Sequence, residues 1–367
     1  MTVPPIALDA MGGDFGPAPN VEGAIAAVCE DGARVILVGE ESRLRADLEA
    51  RGAVSLVEQG KLLLRHAPSV VSMEDKPAAA ARKKKDSSMR VACELVAAGE
   101  ACGVLSAGNS GAFLATALVV FGRMDGVLRP AIGTLLPAQS PFGLVHLVDA
   151  GANVECEPEQ LAQWAVLATT ALHTVHGVAK PTVAVLSNGE EDTKGTALTR
   201  ATLALLRTLP LEVVGYVEGR DITAGKAHVV VTDGFTGNVT LKTAEGVFRS
   251  LSAWIREGYA QGSVLEKVGG ALSRSMFARL RSRLDPREFG AAPFLGLDRP
   301  AFVAHGSSDA YAIRRGIGAV RAWAQHDVAA HMRAAIARTL PLLARMGGAL
   351  PSGGADPART SSGAQSD

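Results

Sequence analysis

Apolar runs rich in β-branched residues recur along this chain, and six of them stop abruptly at small and polar residues. Residues 6–10 run into Met11-Gly12-Gly13-Asp14, and residues 103–106 into Ala107-Gly108-Asn109-Ser110-Gly111. Residues 143–148 end at Asp149 and Asn153, and the run opening at Val183 ends at Asn188-Gly189-Glu190-Glu191-Asp192 and Lys194. Residues 227–232 lead to Asp233-Gly234-Phe235-Thr236-Gly237-Asn238, and residues 302–305 to Gly306-Ser307-Ser308-Asp309. Most are followed by apolar positions at helical spacing, so the repeated unit reads as strand, turn, helix.

The pattern between these units fills in the rest. A helix is expected over 21–29, with Pro17 and Pro19 in its first turn, then a strand over 35–38, a helix over 42–51 and a short strand at 55–57. Pro77 opens another helix, continued over 90–99, with a further one over 112–121. Residues 131–136 and 143–148 read as an antiparallel hairpin around 137–141. Helices follow over 158–175, 197–209, from 239 and from 310, with a strand over 213–217. The sum is one three-layer α/β/α domain over 1–346 around a mostly parallel, mixed sheet. Residues 250–290 read as a protruding helical segment, and 347–367, made of Gly, Pro, Ser, Ala and Thr, as a disordered tail. In such sheets ligands bind beyond the carboxyl ends of the strands, where all six turns are expected to gather.

Composition narrows the function. The 37 basic residues balance 37 acidic ones, so nothing global favours nucleic acid and recognition must come from local patches. Four scattered cysteines form no metal or disulfide framework and suit a reducing cytoplasm. The N-terminus has no signal-peptide pattern, and the two long stretches without charge are punctuated by Gly, Asn, Ser or Pro.

The turns carry the candidate chemistry. Gly12-Gly13 and Gly108 to Gly111 sit between a strand and a helix start, where free amides favour an anion; a tight turn needing positive φ is the plainer alternative. Neither is a dinucleotide fingerprint, and Lys194-Gly195-Thr196 has the wrong order for a P-loop. Arg82, Lys83, Lys84 and Lys85 form either a solvated face or a patch for phosphate or an acidic partner. His305, Ser307 and Asp309 lie too close in sequence to form a catalytic triad, and His173 and His176 lack the acid partners of a metal site. With no convincing nucleophile in the protein, an enzyme built this way would use one that arrives as substrate.

Taken in order, residues 8–17, 73–89, 105–112, 149–159, 188–195, 230–246 and 290–310 resemble the bacterial phosphate acyltransferase (PlsX) family, over roughly residues 3–325. Ser187-Asn188 and Thr196 depart from the family pattern, and Glu155 stands where Asp is frequent. The resemblance implies a fold similar to isocitrate and isopropylmalate dehydrogenases, a homodimer in the cytoplasm, no metal and no organic cofactor. It implies that acyl-ACP (ACP, the acyl carrier protein) and orthophosphate give acyl phosphate and free ACP, for a membrane glycerol-3-phosphate acyltransferase to consume.

On that basis Lys194, His305 and Asn238 are the expected catalytic residues. Expected substrate contacts are Asp9, Gly12, Gly13, Asp14, Lys76, Lys83, Gly108, Asn109, Ser110, Asp149, Asn153, Glu191, Asp233 and Ser307. Arg82, Lys84 and Lys85 are the expected ACP-docking residues. Val264, Val268, Leu272, Met276 and Leu280 form an i, i+4 stripe, which fits a packing or dimer helix or a peripheral membrane contact. A dehydrogenase on the same fold and a non-catalytic scaffold joining ACP to the membrane are the rival readings.

Overall fold

Ile6 and Leu8 enter one hydrophobic cluster while Ala7 enters another. That period of two, with both faces apolar, is what a strand covered by helices on each side requires. The computed structural model describes residues 3–346. In its first half the order is β1 (Ile6–Asp9), α1 (Pro17–Asp31), β2 (Val35–Gly39), α2 (Glu41–Ala50), α3 (Val54–Glu58), β3 (Leu62–His66), α4 (Pro77–Lys83), α5 (Ser88–Ala97), β4 (Val104–Ser106), α6 (Ser110–Phe121), β5 (Ala131–Pro137) and β6 (Leu144–Val148). Then come α7 (Pro158–His176), β7 (Thr182–Leu186), α8 (Ala197–Leu206), β8 (Glu212–Val217), α9 (Gly219–Ala224) and β9 (Val229–Val231). The chain continues with α10 (Gly234–Gln261), α11 (Val264–Leu272), α12 (Arg274–Leu284), β10 (Ala292–Leu295), β11 (Ala301–Val303), α13 (Ala310–Gln325) and α14 (Val328–Met346).

Local chemistry sets many of the boundaries. Pro17 opens α1 and Gly32, left-handed at φ 63°, closes it. Glu157 with Gln160 caps α7, and Thr196 with Thr199 caps α8. The anticipated strand at 55–57 is instead the helix α3, bracketed by Gly52 and Gly60 at positive φ. The strand comes later, as Leu62–His66, because that segment pairs in parallel with β2 from Val35↔Leu62 to Gly39↔His66. β10 was not anticipated, since Pro293 supplies no ladder donor; it sits between Gly290 and Gly296, both at positive φ. α10 starts at Gly234 rather than 239, because the Asp233 carboxylate accepts the Thr236 amide and caps the helix inside its turn. The tail at 347–367 lies outside the described residues.

The eleven-stranded sheet has the order β3-β2-β1-β4-β11-β10-β5-β6-β9-β7-β8. β3, β2, β1, β4 and β11 are parallel to one another. β10, β5 and β6 are joined by antiparallel pairs, and β6, β9, β7 and β8 are again mutually parallel. Three reversals separate the two parallel sets, so they run in opposite directions. The six polar turns therefore do not share one edge. They form two groups of three, after β1, β4 and β11 and after β6, β9 and β7.

Candidate active site

The first group closes around Asp9, the last residue of β1. Its carboxylate accepts the Ser106 hydroxyl from β4 at 2.7 Å, and the same hydroxyl accepts the Gly108 amide at 3.1 Å. Burial pushes the Asp9 carboxyl above its usual range, opposed by Ser106 and by backbone amides. A Cβ on Gly12 would lie 2.8 Å from both Asp9 Oδ2 and the Gly108 nitrogen, so only glycine lets the two turns touch. Asn20 of α1 holds this turn from beneath, donating to the carbonyls of Ala10 and Gly12. The β11 turn leans on the same place: the Asp14 amide donates to the Gly306 carbonyl at 2.8 Å, and Gly13 faces that carbonyl. Asp9, Gly12, Gly13, Asp14, Gly108 and Ser307 are thus brought to one cluster of turns.

Asn109 and Ser110 belong to the start of α6, where Asn109 has a structural task. Its side-chain oxygen accepts the Ala112 amide at 3.0 Å, and its Nδ2 donates to the carbonyls of Met73 and Asp75. It fastens the 73–75 loop to the turn. Ser110, next to it, is exposed.

His305 lies at the rim of this cluster. Its Nδ1 is 2.8 Å from the Ser307 hydroxyl, and its Nε2 is 3.3 Å from Lys242 Nζ, which also meets Glu245 at 2.9 Å. An ammonium only donates, so Nε2 accepts and Nδ1 carries the proton toward Ser307. The other tautomer would accept the Ser307 amide (3.2 Å) but would set two donors face to face at Nε2. Asp309 does not approach His305. It caps α13 through Ala312 and pairs with Arg287 at 2.6 Å. Ser307, His305 and Asp309 form no relay.

Lys242 was missed by sequence reasoning. It lies on α10, eight residues past the start of the helix or about 12 Å along its axis. One signal was available: Lys242 follows Asn238 by four residues and so shares its helix face. Because α10 leaves the β9 turn and reaches His305, it joins the second group of turns to the first.

The second group is organised by Asp149, fully buried at the end of β6. Its carboxylate accepts the backbone amides of Ile132, Gly151, Ala152 and Asn153, and Asn153 Nδ2 at 2.9 Å. Burial raises its pKa against those donors. Asn153 in turn donates to the Pro130 carbonyl, and its own carbonyl accepts the Gly234 amide. The Asp149 and Asp233 carboxylates and the Asn153 Nδ2 are therefore engaged in shaping these turns. Asn238 is exposed, beside Gly151.

In the β7 turn the Lys194 stem folds over Gly189, close to the Glu191 carboxylate. Glu190 pairs with Lys226 and Asp192 with Arg207. Glu191 and Lys194 are exposed. Among the described residues, the hydrogen bonds of Lys194 stay within its own turn and do not reach His305.

The basic segment divides differently from the sequence reading. Lys84, expected among the docking residues, turns inward and binds Asp75 Oδ2 at 2.5 Å and the Val70 carbonyl at 2.8 Å. α4 ends at Lys83, and Lys84 leaves helical geometry, which re-aims its side chain. Lys76, Arg82, Lys83 and Lys85 are exposed. Lys83, expected to turn toward the substrate, therefore shares the outer face with Arg82 and Lys85.

Beyond Gly237, α10, α11 and α12 carry no buried residue among those described. Val264 and Leu272 are about 80% exposed and Val268 and Met276 about half exposed, so these four residues of the apolar stripe do not pack into the core of this chain; the Leu280 side chain lies outside those described. No helix among the described residues is long and apolar enough to cross a membrane, and no group of three or more His, Cys, Asp or Glu there could hold a metal ion.

This architecture is that of the solved phosphotransacetylases. The Streptococcus pyogenes enzyme superposes with a TM-score of 0.59 at 16% identity, covering 89% of this chain and 94% of its own. The EutD phosphotransacetylase of Staphylococcus aureus gives 0.55 at 16%, covering 88% and 94%. At that identity the likeness concerns the fold. Sequence similarity goes further: the "fatty acid synthesis protein" family model matches residues 5–331. Phosphate acyltransferases of Anaeromyxobacter sp. strain K and Myxococcus xanthus are 47% and 46% identical over 315 and 335 residues, covering 86% and 91% of this chain and 85% and 94% of theirs. The chain belongs to this phosphate acyltransferase family and is an acyltransferase.

Proposed function

We propose that the enzyme transfers the acyl group of acyl-ACP to orthophosphate, releasing acyl phosphate and ACP. The observation that carries this reading is the Lys242–His305–Ser307 chain at the rim of a glycine-lined cluster with no protein nucleophile in a relay. Phosphate is partly dianionic near neutral pH, by analogy with phosphate monoesters, whose second ionisation lies near 6, so it needs no strong base. One of its oxygens attacks the thioester carbonyl carbon, and the carbonyl oxygen becomes an oxyanion. As the oxyanion collapses the C–S bond breaks, and the ACP sulfur leaves as thiolate and takes up a proton.

Positioning and oxyanion stabilisation are the protein's share of this chemistry. Gly12, Gly13 and the Gly108–Ser110 turn hold phosphate. The Lys242 ammonium has a third N–H beyond those toward Glu245 and His305, and it donates to the carbonyl oxygen. Lys242 thereby takes the place that the sequence reading gave to Lys194. A role for Lys194 and Asn238 requires substrate to bridge the two groups of turns. Arg82, Lys83 and Lys85 offer a cationic face to acidic ACP.

The proposed setting is a cytoplasmic homodimer, with the exposed 264–276 stripe resting on the membrane that holds a glycerol-3-phosphate acyltransferase. Liposome flotation tests the contact, and failure to float with anionic vesicles would remove it. For the reaction, acyl-ACP is incubated with and without phosphate, following free ACP thiol and hydroxylamine-trapped acyl phosphate. Thiol release that does not depend on phosphate would sink the proposal.

A further inference from the structure

A cavity of about 1290 Å³ is lined by His305 and Ser307 and runs along α10 toward the α11–α12 pair. Its α10 wall includes a helical stripe, Phe248, Ser252, Ile255 and Tyr259, spaced i, i+4, i+7 and i+11, with Arg249 and Arg256 beside it. These four are half-buried, whereas Val247 and Trp254, on other faces of α10, are 63% and 68% exposed. The facing wall includes Gly270, Ala271 and Phe277. At the far end Tyr259 and Phe277 meet edge to face, with ring centroids 5.6 Å apart. Gly270 lies against the Tyr259 ring, where a Cβ would come within 2.6 Å. A groove that runs from the catalytic rim to this edge-to-face ring pair has a mouth, a length and a stop.

We propose that this groove holds the acyl chain of the substrate and that the Tyr259–Phe277 pair sets the longest chain accepted, which rests on the acyl-transfer reading above. A carbonyl placed at Lys242 and His305 sends its chain into the mouth of the cavity. From Glu245 to Tyr259 the helix advances about 21 Å, the span of a long-chain rather than a short-chain acyl group. The stripe is mostly apolar along that path, so each added methylene is buried until the ring pair is met. Burial of one methylene corresponds to about a fourfold gain in kcat/KM. The outward stripe at 264–276 is left free for a different surface, so chain binding and any membrane contact use opposite sides of the hairpin.

The test uses the full-length enzyme with butanoyl-, octanoyl- and hexadecanoyl-ACP and saturating phosphate, and adds octadecanoyl-ACP where the stop is probed. Wild-type turnover of any donor establishes the acyl-transfer reading; absence of turnover with all three overturns that reading and, with it, this one. In an active enzyme, kcat/KM is expected to climb with chain length. Ile255→Trp, which fills the middle of the groove, is expected to lower the hexadecanoyl-to-butanoyl ratio at least about tenfold, two or more methylenes' worth. Phe277→Ala, which opens the stop, is expected to raise the ratio of octadecanoyl to hexadecanoyl turnover. An unchanged chain-length profile in both variants overturns the groove. A hexadecanoyl thioester carrying a terminal diazirine gives a readout on the wild-type protein. Crosslinks on peptides containing Tyr259 or Phe277 support the proposal, and crosslinks only on Val264 or Leu272 refute it.

Discussion

Replacing Lys242 by methionine keeps most of the aliphatic stem and removes the ammonium, which separates catalysis from stability. The lost ion pair with Glu245 is an i, i+3 surface pair whose lysine is half exposed (49%). Such pairs are worth about 0.5 kcal/mol or less. In a chain of this size that moves Tm by under about 2 °C. At the site the loss is of another order. Removing one donor to a developing oxyanion typically costs about 3–4 kcal/mol, or 10²–10³ in kcat. His305 also loses the donor that holds Nε2 as acceptor, so the tautomer that binds Ser307 is no longer selected. The expected result is a fall of at least about a hundredfold in kcat with nearly unchanged KM for phosphate, measured as phosphate-dependent ACP thiol release at saturating substrates. Lys242→Arg restores part of the rate. Turnover within about threefold of wild type, in a protein with wild-type Tm, would refute the role given to Lys242; Lys194→Met under the same conditions ranks the two lysines directly.

His146 is buried on β6, with neither ring nitrogen in hydrogen-bond geometry, and burial lowers its pKa to about 4. A depressed histidine contributes stability that is whole above the unfolded pKa of 6.5 and lost as pH falls toward 4. Two to three pKa units amount to ~3 kcal/mol; denaturant titrations at pH 7 and pH 4 should show this loss in wild type and not in His146→Gln. Gly12→Ala drives a methyl between Asp9 and Gly108, and should cost ~1–3 kcal/mol in urea unfolding and weaken phosphate binding measured by calorimetry; unchanged phosphate affinity would place the anion elsewhere. Arg82→Ala with Lys85→Ala should raise KM for acyl-ACP and flatten its salt dependence. Lys84→Ala should instead lower Tm, through loss of the Asp75 tie, with a smaller effect on KM.

The strands and turns were legible because an apolar run that stops at glycine and a polar cluster is a local event. So were the hairpin and most helix starts, each marked by proline or a capping side chain. Strand direction is not local. The reversal depends on β10, four residues long and containing Pro293, whose neighbours β11 and β5 lie far apart in sequence. Missing that strand led to six turns on one edge where there are two sets of three. Residue types at the site were legible, but their partners were not. Asp149 and Asn153 look like ligands in a motif, yet the Asp149 carboxylate is engaged by backbone amides and the Asn153 Nδ2 by the Pro130 carbonyl and Asp149. Lys83 and Lys84 are neighbours, and only the end of α4 decides which turns inward.

The position of β11 has a consequence for how the molecule is made. Residues 292–303 supply β10 and β11, the last strands in chain order among the described residues, yet they lie in the middle of the sheet. On the ribosome, the blocks ending at β4 and beginning at β5 exist before anything joins them, each with an open edge that invites foreign strands. Insertion of β10 against β5 and of β11 against β4 closes both edges, and it delivers His305 and Ser307 in the same step. A nascent chain that lacks residues 292–307 therefore has neither a continuous sheet nor an assembled reaction centre.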